Sequence, residues 1–409
     1  MIKEIDFKLS GSVDKRVKIP LNGKNLIITG ANGCGKTRFL RQLNDYLRGV
    51  LERNIQPEDV ILRELKSVQE TFNSIDLFHQ HYQFHKNRVD EVSKKHQQSI
   101  NEKIEFEGLK DIFSLLNEKA FVLRFFEANR LANQLANNGQ VENIASIKQR
   151  GMQEDILQDS SDKFERYLVS YYNYGSHVIA RENNPEKAKQ INSWFDKVES
   201  DLRNLFEDNQ LSLKYNPEEQ AFYIHQDGKE PFRFDNLSSG YSSILSIYAD
   251  LLMKVELRDV PSNKIAGFVL IDEIDAHLHV SIQRKIFSFF DKAFPKIQFI
   301  ITTHSPFVIQ SVNDSVIYDL SKMECLEDLS MYSYESILKG LLGVDSTSNL
   351  LNEQLELMAK LIQQRPINKD GLQKVVNLIE PHEAQLDSKS KAFLLLGKNA
   401  LLDANDGEE

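Results

Sequence analysis

The octapeptide Gly30-Ala31-Asn32-Gly33-Cys34-Gly35-Lys36-Thr37 constrains this chain more than any other stretch. It fits G-x-x-x-x-G-K-[ST], follows the short apolar run Leu26-Ile27-Ile28, and precedes a helical pattern from Arg38 to Leu47. Strand, glycine-rich loop and helix is the context that gives this motif meaning. The glycines let backbone N–H groups close around phosphate oxygens. The helix N-terminus adds partial positive charge. In that arrangement Lys36 reaches the β- and γ-phosphates and Thr37 ligates Mg²⁺, while Gly30, Asn32, Gly33, Gly35 and Arg38 complete the cradle. The competing reading is a glycine-rich turn with no ligand.

Three further stretches follow. Phe268-Val269-Leu270-Ile271 reads as a strand buried on both faces, as in a parallel sheet. Asp272 and Glu273 come next, at the end where such sheets bind ligands. Burying two adjacent acids is costly without a cation or polar partners, and a magnesium-nucleotide site supplies both. Alone, the hexad reads equally as a core strand running into a solvated loop. Leu237-Ser238-Ser239-Gly240-Tyr241-Ser242 opens a helix with apolar residues at Ile244, Leu245, Ile247, Tyr248, Leu251 and Leu252. By itself it is a good N-cap. Phe299 to Thr303 reads as a strand ending in His304-Ser305-Pro306, where a lone histidine is usually structural.

As an ordered set, the four motifs resemble the ABC-type ATPase head, with its Walker A, signature, Walker B and switch histidine. The resemblance covers about residues 1–50 and 235–320. It is closest to the SMC, RecF and OLD-like group. Met1-Ile2-Lys3-Glu4-Ile5-Asp6-Phe7 is similar to that group's first strand. Asp272-Glu273-Ile274-Asp275-Ala276-His277-Leu278-His279 resembles its Asp-Glu-x-x-Ala-His-Leu-His-Pro run, with Val280 in place of the proline. Bacterial anti-phage ATPases share this style, the Septu type first and the PARIS- and retron-linked types as alternatives. The resemblance implies an α/β fold: an ABC-type P-loop ATPase head with an antiparallel β edge and helical insertions. It implies ATP and Mg²⁺ as ligands and a head-to-tail homodimer or higher homo-oligomer. Each ATP then lies on one chain's phosphate loop, beneath the other chain's Ser238, Ser239 and Gly240. Asp272 and Thr37 hold Mg²⁺, Glu273 polarises the attacking water, His304 contacts the γ-phosphate, and Asp275 sits at the dimer junction. Ser239 stands where many signatures carry glycine.

Hydrophobic content of 41% and charged content of 27% are those of a soluble globular protein. No apolar run approaches the roughly 18 residues of a membrane span, and the start lacks a signal-peptide layout. Cys34 and Cys325 give neither a disulfide framework nor a zinc spacing, so a reducing cytoplasm is expected. A net charge of −10 is no footprint for nucleic acid, although it leaves room for a local contact to DNA.

The organisation expected is a head from 1–56 and 210–330, with strand 119–127 contributed from between, and helical insertions at 57–118 and 128–209. A helical region at 331–402 and a disordered acidic tail at 403–409 follow. Ile61, Leu65, Val68, Phe72 and Ile75 form a short heptad-like stripe in the first insertion, whose apolar surface exceeds what one exposed helix needs. His81 and His85 stand one helical turn apart, near His79 and His96. A zinc site needs further convergent ligands, so solvated or partner-facing histidines are the preferred reading. The run Phe121 to Phe126 stands where ABC heads carry the strand before the Q-loop, but no glutamine ends it. Glu127 and Arg130 are candidates there, with an exposed helix start equally open, and Gln134 comes a little later.

No apolar strand ending in Glu-Gly is followed by an Asp-x-Asp, the Toprim nuclease pattern of OLD proteins. The expectation is therefore an ATPase switch that regulates a separate effector, such as a nuclease, in anti-phage defence. The alternative is a RecF- or SMC-like DNA-repair or DNA-clamp ATPase. A transporter's nucleotide-binding subunit fits less well, given the inserted helices.

Overall fold

The computed structural model describes residues 1–11, 15–56, 58–75, 80–130, 135, 142–154, 157–258, 264–311, 314–326, 337, 348–364 and 368–406. They form two units, Met1–Tyr334 and Glu335–Glu409.

The first unit is built on a six-stranded sheet. In chain order its strands are β3 (Asn25–Thr29), β5 (Phe121–Phe126), β8 (Ala266–Ile271), β9 (Ile297–Thr302), β10 (Ser315–Asp319) and β11 (Glu324–Leu326). The spatial order is β11-β10-β3-β9-β8-β5, with every pairing parallel except that of the edge strand β11. The central strands β8 and β9 are buried almost throughout, as expected where helices cover both faces of a parallel sheet. Each apolar side chain fully buried there contributes roughly 1.5–3 kcal/mol.

A second sheet, of order β2-β1-β4, is antiparallel and consists of β1 (Ile2–Lys8), β2 (Arg16–Pro20) and β4 (Glu102–Phe106). One core joins both sheets, through Ile2, Ile5, Phe7, Leu26, Ile28, Phe268 and Ile300 among others. Gln298 is fully buried on β9 and acts as a surrogate peptide between the sheets. Its side chain accepts from the Ile2 N–H at 2.8 Å and donates to the Lys24 carbonyl at 2.6 Å.

The order of strands corrects part of the sequence reading. β3, the run before the phosphate loop, lies inside the parallel sheet between β10 and β9. The third strand of the antiparallel sheet is β4, from a stretch read as helical. Its short polar sequence, Glu102-Lys103-Ile104-Glu105-Phe106, gives no apolar run, and pairing with β1 makes it a strand.

Among the described residues, seven α-helices precede the β-hairpin at 212–225. They are α1 (Lys36–Leu51), α2 (Glu58–Asn73), α3 (Tyr82–Asn101), α4 (Leu109–Asn117), α5 (Ile144–Gln153), α6 (Phe164–His177) and α7 (Pro185–Phe206). The hairpin β6 (Ser212–Asn216) and β7 (Ala221–His225) leads towards α8 (Ser239–Glu256). Between β8 and β9 run α9 (Val280–Gln283) and α10 (Ile286–Ala293), and α11 (Pro306–Gln310) follows β9. The expected stripe is partly consumed inside the chain: Ile61 and Leu65 of α2 pack with Val92 of α3 in a small core of their own, and Val68 packs against it. Phe72 meets Tyr82 with ring centroids 5.1 Å apart. His79 and Gln134 lie outside the described residues.

The second unit holds α12 (Asn349–Gln363), α13 (Lys369–Ile379) and α14 (Ser388–Asp406). Met358, Leu361, Leu372, Val375, Val376, Ile379, Leu394 and Leu401 form its core. The last helix runs on through Asp403–Asp406, into the stretch expected to be a disordered tail, whose end at 407–409 lies outside the described residues.

Candidate nucleotide-binding site

Three neighbouring parallel strands deliver the motifs to one edge of the sheet. The phosphate loop follows β3, Asp272 and Glu273 follow β8, and His304 follows β9, which lies between the other two. Because the three run parallel, all of these residues leave at the carboxyl end, where open α/β sheets bind ligands.

In the loop, Gly30, Gly33 and Gly35 take φ values of 134°, 76° and 108°, which a side chain would strain. A Cβ at Gly33 or Gly35 would meet nothing within 4 Å, so these two glycines border open space. Asn32 is exposed and Gly30 buried. The loop feeds the N-terminus of α1, whose first turn carries no acid, so its partial positive charge is not neutralised there. Lys36 is buried and folded back, donating to the carbonyls of Gly30 at 3.0 Å and Ala31 at 3.2 Å. Those bonds hold the ammonium inside the cradle. Thr37 and Arg38 line a cavity of about 560 Å³ beside the loop, together with Ser10, Arg41, Gln42 and Glu102. The Ser321 hydroxyl, just past β10, accepts from the Ala31 N–H at 2.7 Å and pins the loop from the side.

The acids are held by β9. Thr302 donates its hydroxyl proton to Asp272 Oδ1 at 2.6 Å and accepts from the Glu273 N–H at 2.7 Å. Asp272 is buried and Glu273 half-buried. Glu273 adopts a left-handed φ of 46°, strain that only a well-determined surrounding sustains. Asp275 accepts from the Thr303 hydroxyl at 2.5 Å. His304 is half-buried. Burial and the charge of Lys36 push its pKa below the ordinary histidine value, against the pull of Asp275, Glu273 and Asp272. The imidazole is therefore neutral at neutral pH.

At the start of α8, Ser238 and Ser239 are exposed and Ser238 makes no side-chain cap hydrogen bond. Gly240 is buried: a Cβ there would lie 2.5 Å from the carbonyl oxygen of His277 in the same chain. The residue assigned to phosphate contact thus also packs against the loop after Walker B. Glu127 is exposed and pairs with Arg41 of α1 at 3.1 Å. Arg130 reaches the Walker B carbonyls, and the fully buried Asp250 of α8 accepts from Arg124 of β5 at 2.6 Å. The Ser160 N–H also donates to Asp250, at 2.7 Å, and Lys254 to the Ser160 hydroxyl at 3.0 Å. Burial drives the Lys254 pKa down to about 8.

Sequence reasoning missed Thr302, Ser321 and this buried network. The one available signal was a charged residue inside each apolar stretch: Arg124 in Phe-Val-Leu-Arg-Phe-Phe, and Asp250 among the apolar residues of α8. The donor set fits a magnesium polyphosphate: backbone amides and an ammonium for the anion, a hydroxyl and a carboxylate for a hard cation.

Fold and site together define a P-loop ATPase domain. A family model described as "AAA domain, putative AbiEii toxin, Type IV TA system" matches residues 26–310, and the chain belongs to that family. The Septu protein PtuA of Bacillus mycoides (strain KBAB4) is 33% identical over 133 residues, 32% of this chain and 18% of that protein. The Retron Ec83 probable ATPase of Escherichia coli is 44% identical over 85 residues, 20% of this chain and 16% of that protein. The matches thus span under a fifth of those relatives' lengths. A crystal structure of an SMC head bound to the C-winged helix domain of ScpA aligns at a TM-score of 0.35 and 14% identity, over 80% of this chain and 94% of that one. No helix among the described residues is long and apolar enough to cross a membrane.

Proposed function

We propose that this chain is an ATP-driven switch. Two copies close head to tail around Mg²⁺-ATP, hydrolysis reopens them, and the closed state governs a separate effector, a nuclease, in defence against phage. The observation that carries the reading is the common edge at which Lys36, Asp272, Glu273 and His304 meet, with Thr302 bonded to both acids. Lys36 meets the β- and γ-phosphates, and Thr37 and Asp272 hold Mg²⁺, the ion that neutralises charge on the transferring phosphoryl group. Glu273 orients the attacking water, and His304, as a neutral imidazole, donates to the γ-phosphate. Such chemistry is positioning plus charge stabilisation.

The exposed hydroxyls of Ser238 and Ser239 support presentation to a second copy. The defence role is supported by the kind of relatives, a Septu protein and a retron ATPase. Size-exclusion chromatography with light scattering, and pull-down of the neighbouring gene product, test the reading with and without ATP. ATP is expected to produce a two-chain species and to change retention of the partner. Lys36→Ala should lose both effects with its nucleotide affinity, because it removes the charge facing the phosphates. A chain that binds ATP and stays single, or a partner retained identically in every state, would contradict the switch.

A further inference from the structure

We infer that Arg130 is a positioning residue that couples the two ATP sites of the dimer, by tying the backbone of Glu273, which serves one site, to the signature helix, which serves the other. The inference rests on the ATP-bridged dimer proposed above. One guanidinium makes every contact that it needs. Nε donates to the Glu127 carbonyl at 2.6 Å, which closes the turn after β5. Nη2 donates to the Asp272 carbonyl and, at 3.0 Å, to the Glu273 carbonyl. Nη1 donates to the hydroxyl of Ser243 on α8 at 3.0 Å.

Glu273 is therefore gripped at both ends of its strained backbone. Thr302 holds its N–H and Arg130 holds its carbonyl. Ser243 lies four residues beyond Ser239, about one helical turn, so a shift at Ser243 is carried to the exposed hydroxyls at the helix start. The planar fork of an arginine can bond two directions at once, which a lysine ammonium does without fixed geometry. Burial lowers the Arg130 pKa to about 10, and the nearby charges of Asp272, Asp275 and Glu273 oppose that shift. The group stays charged at neutral pH.

Mixed dimers of differently tagged full-length chains test the link. One chain carries Glu273→Gln and is silent at its own site; its partner is native. Only the partner's phosphate loop then turns over ATP, and it does so beneath the silent chain's signature. Adding Arg130→Ala, or the milder Ser243→Ala, to the silent chain should lower turnover at the native site, roughly tenfold for Arg130→Ala, the scale of a small misplacement. Binding of a fluorescent ATP analogue to each silent variant alone should stay at the parent level, which a general loss of fold would not permit. Native-site turnover at the parent rate with Arg130→Ala in the silent chain would overturn the coupling. Failure of ATP to join the two tagged chains would instead sink the dimer reading, and co-purification registers that before any rate is measured.

Discussion

Gly240 is where packing and chemistry compete for one residue. A side chain there would collide with the His277 carbonyl oxygen of the same chain, at 2.5 Å. Gly240→Ala must therefore push α8 away from the loop after Walker B. The expected cost is about 1–3 kcal/mol, the usual range for overpacking, read as a lower melting midpoint. ATP affinity, set by Lys36 and the loop glycines, should hold. An alanine variant as stable as the parent would contradict this account of the glycine. At this scale the site was half legible. Lys36, Thr37, Asp272 and Glu273 announce themselves because each motif is contiguous in the chain. Thr302 and Ser321 do not, because they act across strands whose neighbours are fixed by sheet order; Arg130 was a candidate by its place after β5, but its partners were not legible. Thr302 bonds two residues almost thirty positions away, and Arg130 reaches further still.

Among the elements, the parallel strands were readable as apolar runs bounded by motifs, and β4 was not. Its residues alternate weakly, and β1 gives them their structure. The first inserted helices show the opposite case. Their apolar stripe was visible, but its partner was not, since Val89 and Val92 are the only apolar residues between Phe84 and Ile100 of α3. Val92 is fully buried against Ile61 and Leu65. Val92→Ala removes two buried carbons at about 0.8 kcal/mol each. The small core is separate from the main one, so the loosening should stay local. Hydrogen exchange should speed up in α2 and α3 and stay unchanged in β3 and β8. Equal loss of protection across the head would show that the pair is not an independent unit.

For the whole molecule, the unit Met1–Tyr334 carries the nucleotide machinery, and Glu335–Glu409 is a separate helical unit with its own core. In the proposed switch the two adjacent acids divide the labour, which yields opposite phenotypes for two single-atom changes. Glu273→Gln keeps size and hydrogen bonding but removes the group that polarises water. ATP should still bind, because Lys36, Thr37 and Asp272 are untouched. Turnover should fall roughly a hundredfold or more, the usual range for a positioned general base, and the two-chain state should accumulate. Asp272→Asn should instead weaken binding of Mg²⁺-ATP itself. The most direct measurement is ATP affinity by titration calorimetry beside turnover for these two variants. The account predicts retained affinity with lost turnover for Glu273→Gln, and lost affinity for Asp272→Asn. Parent-rate hydrolysis by Glu273→Gln, or equal loss of binding in both variants, would contradict it.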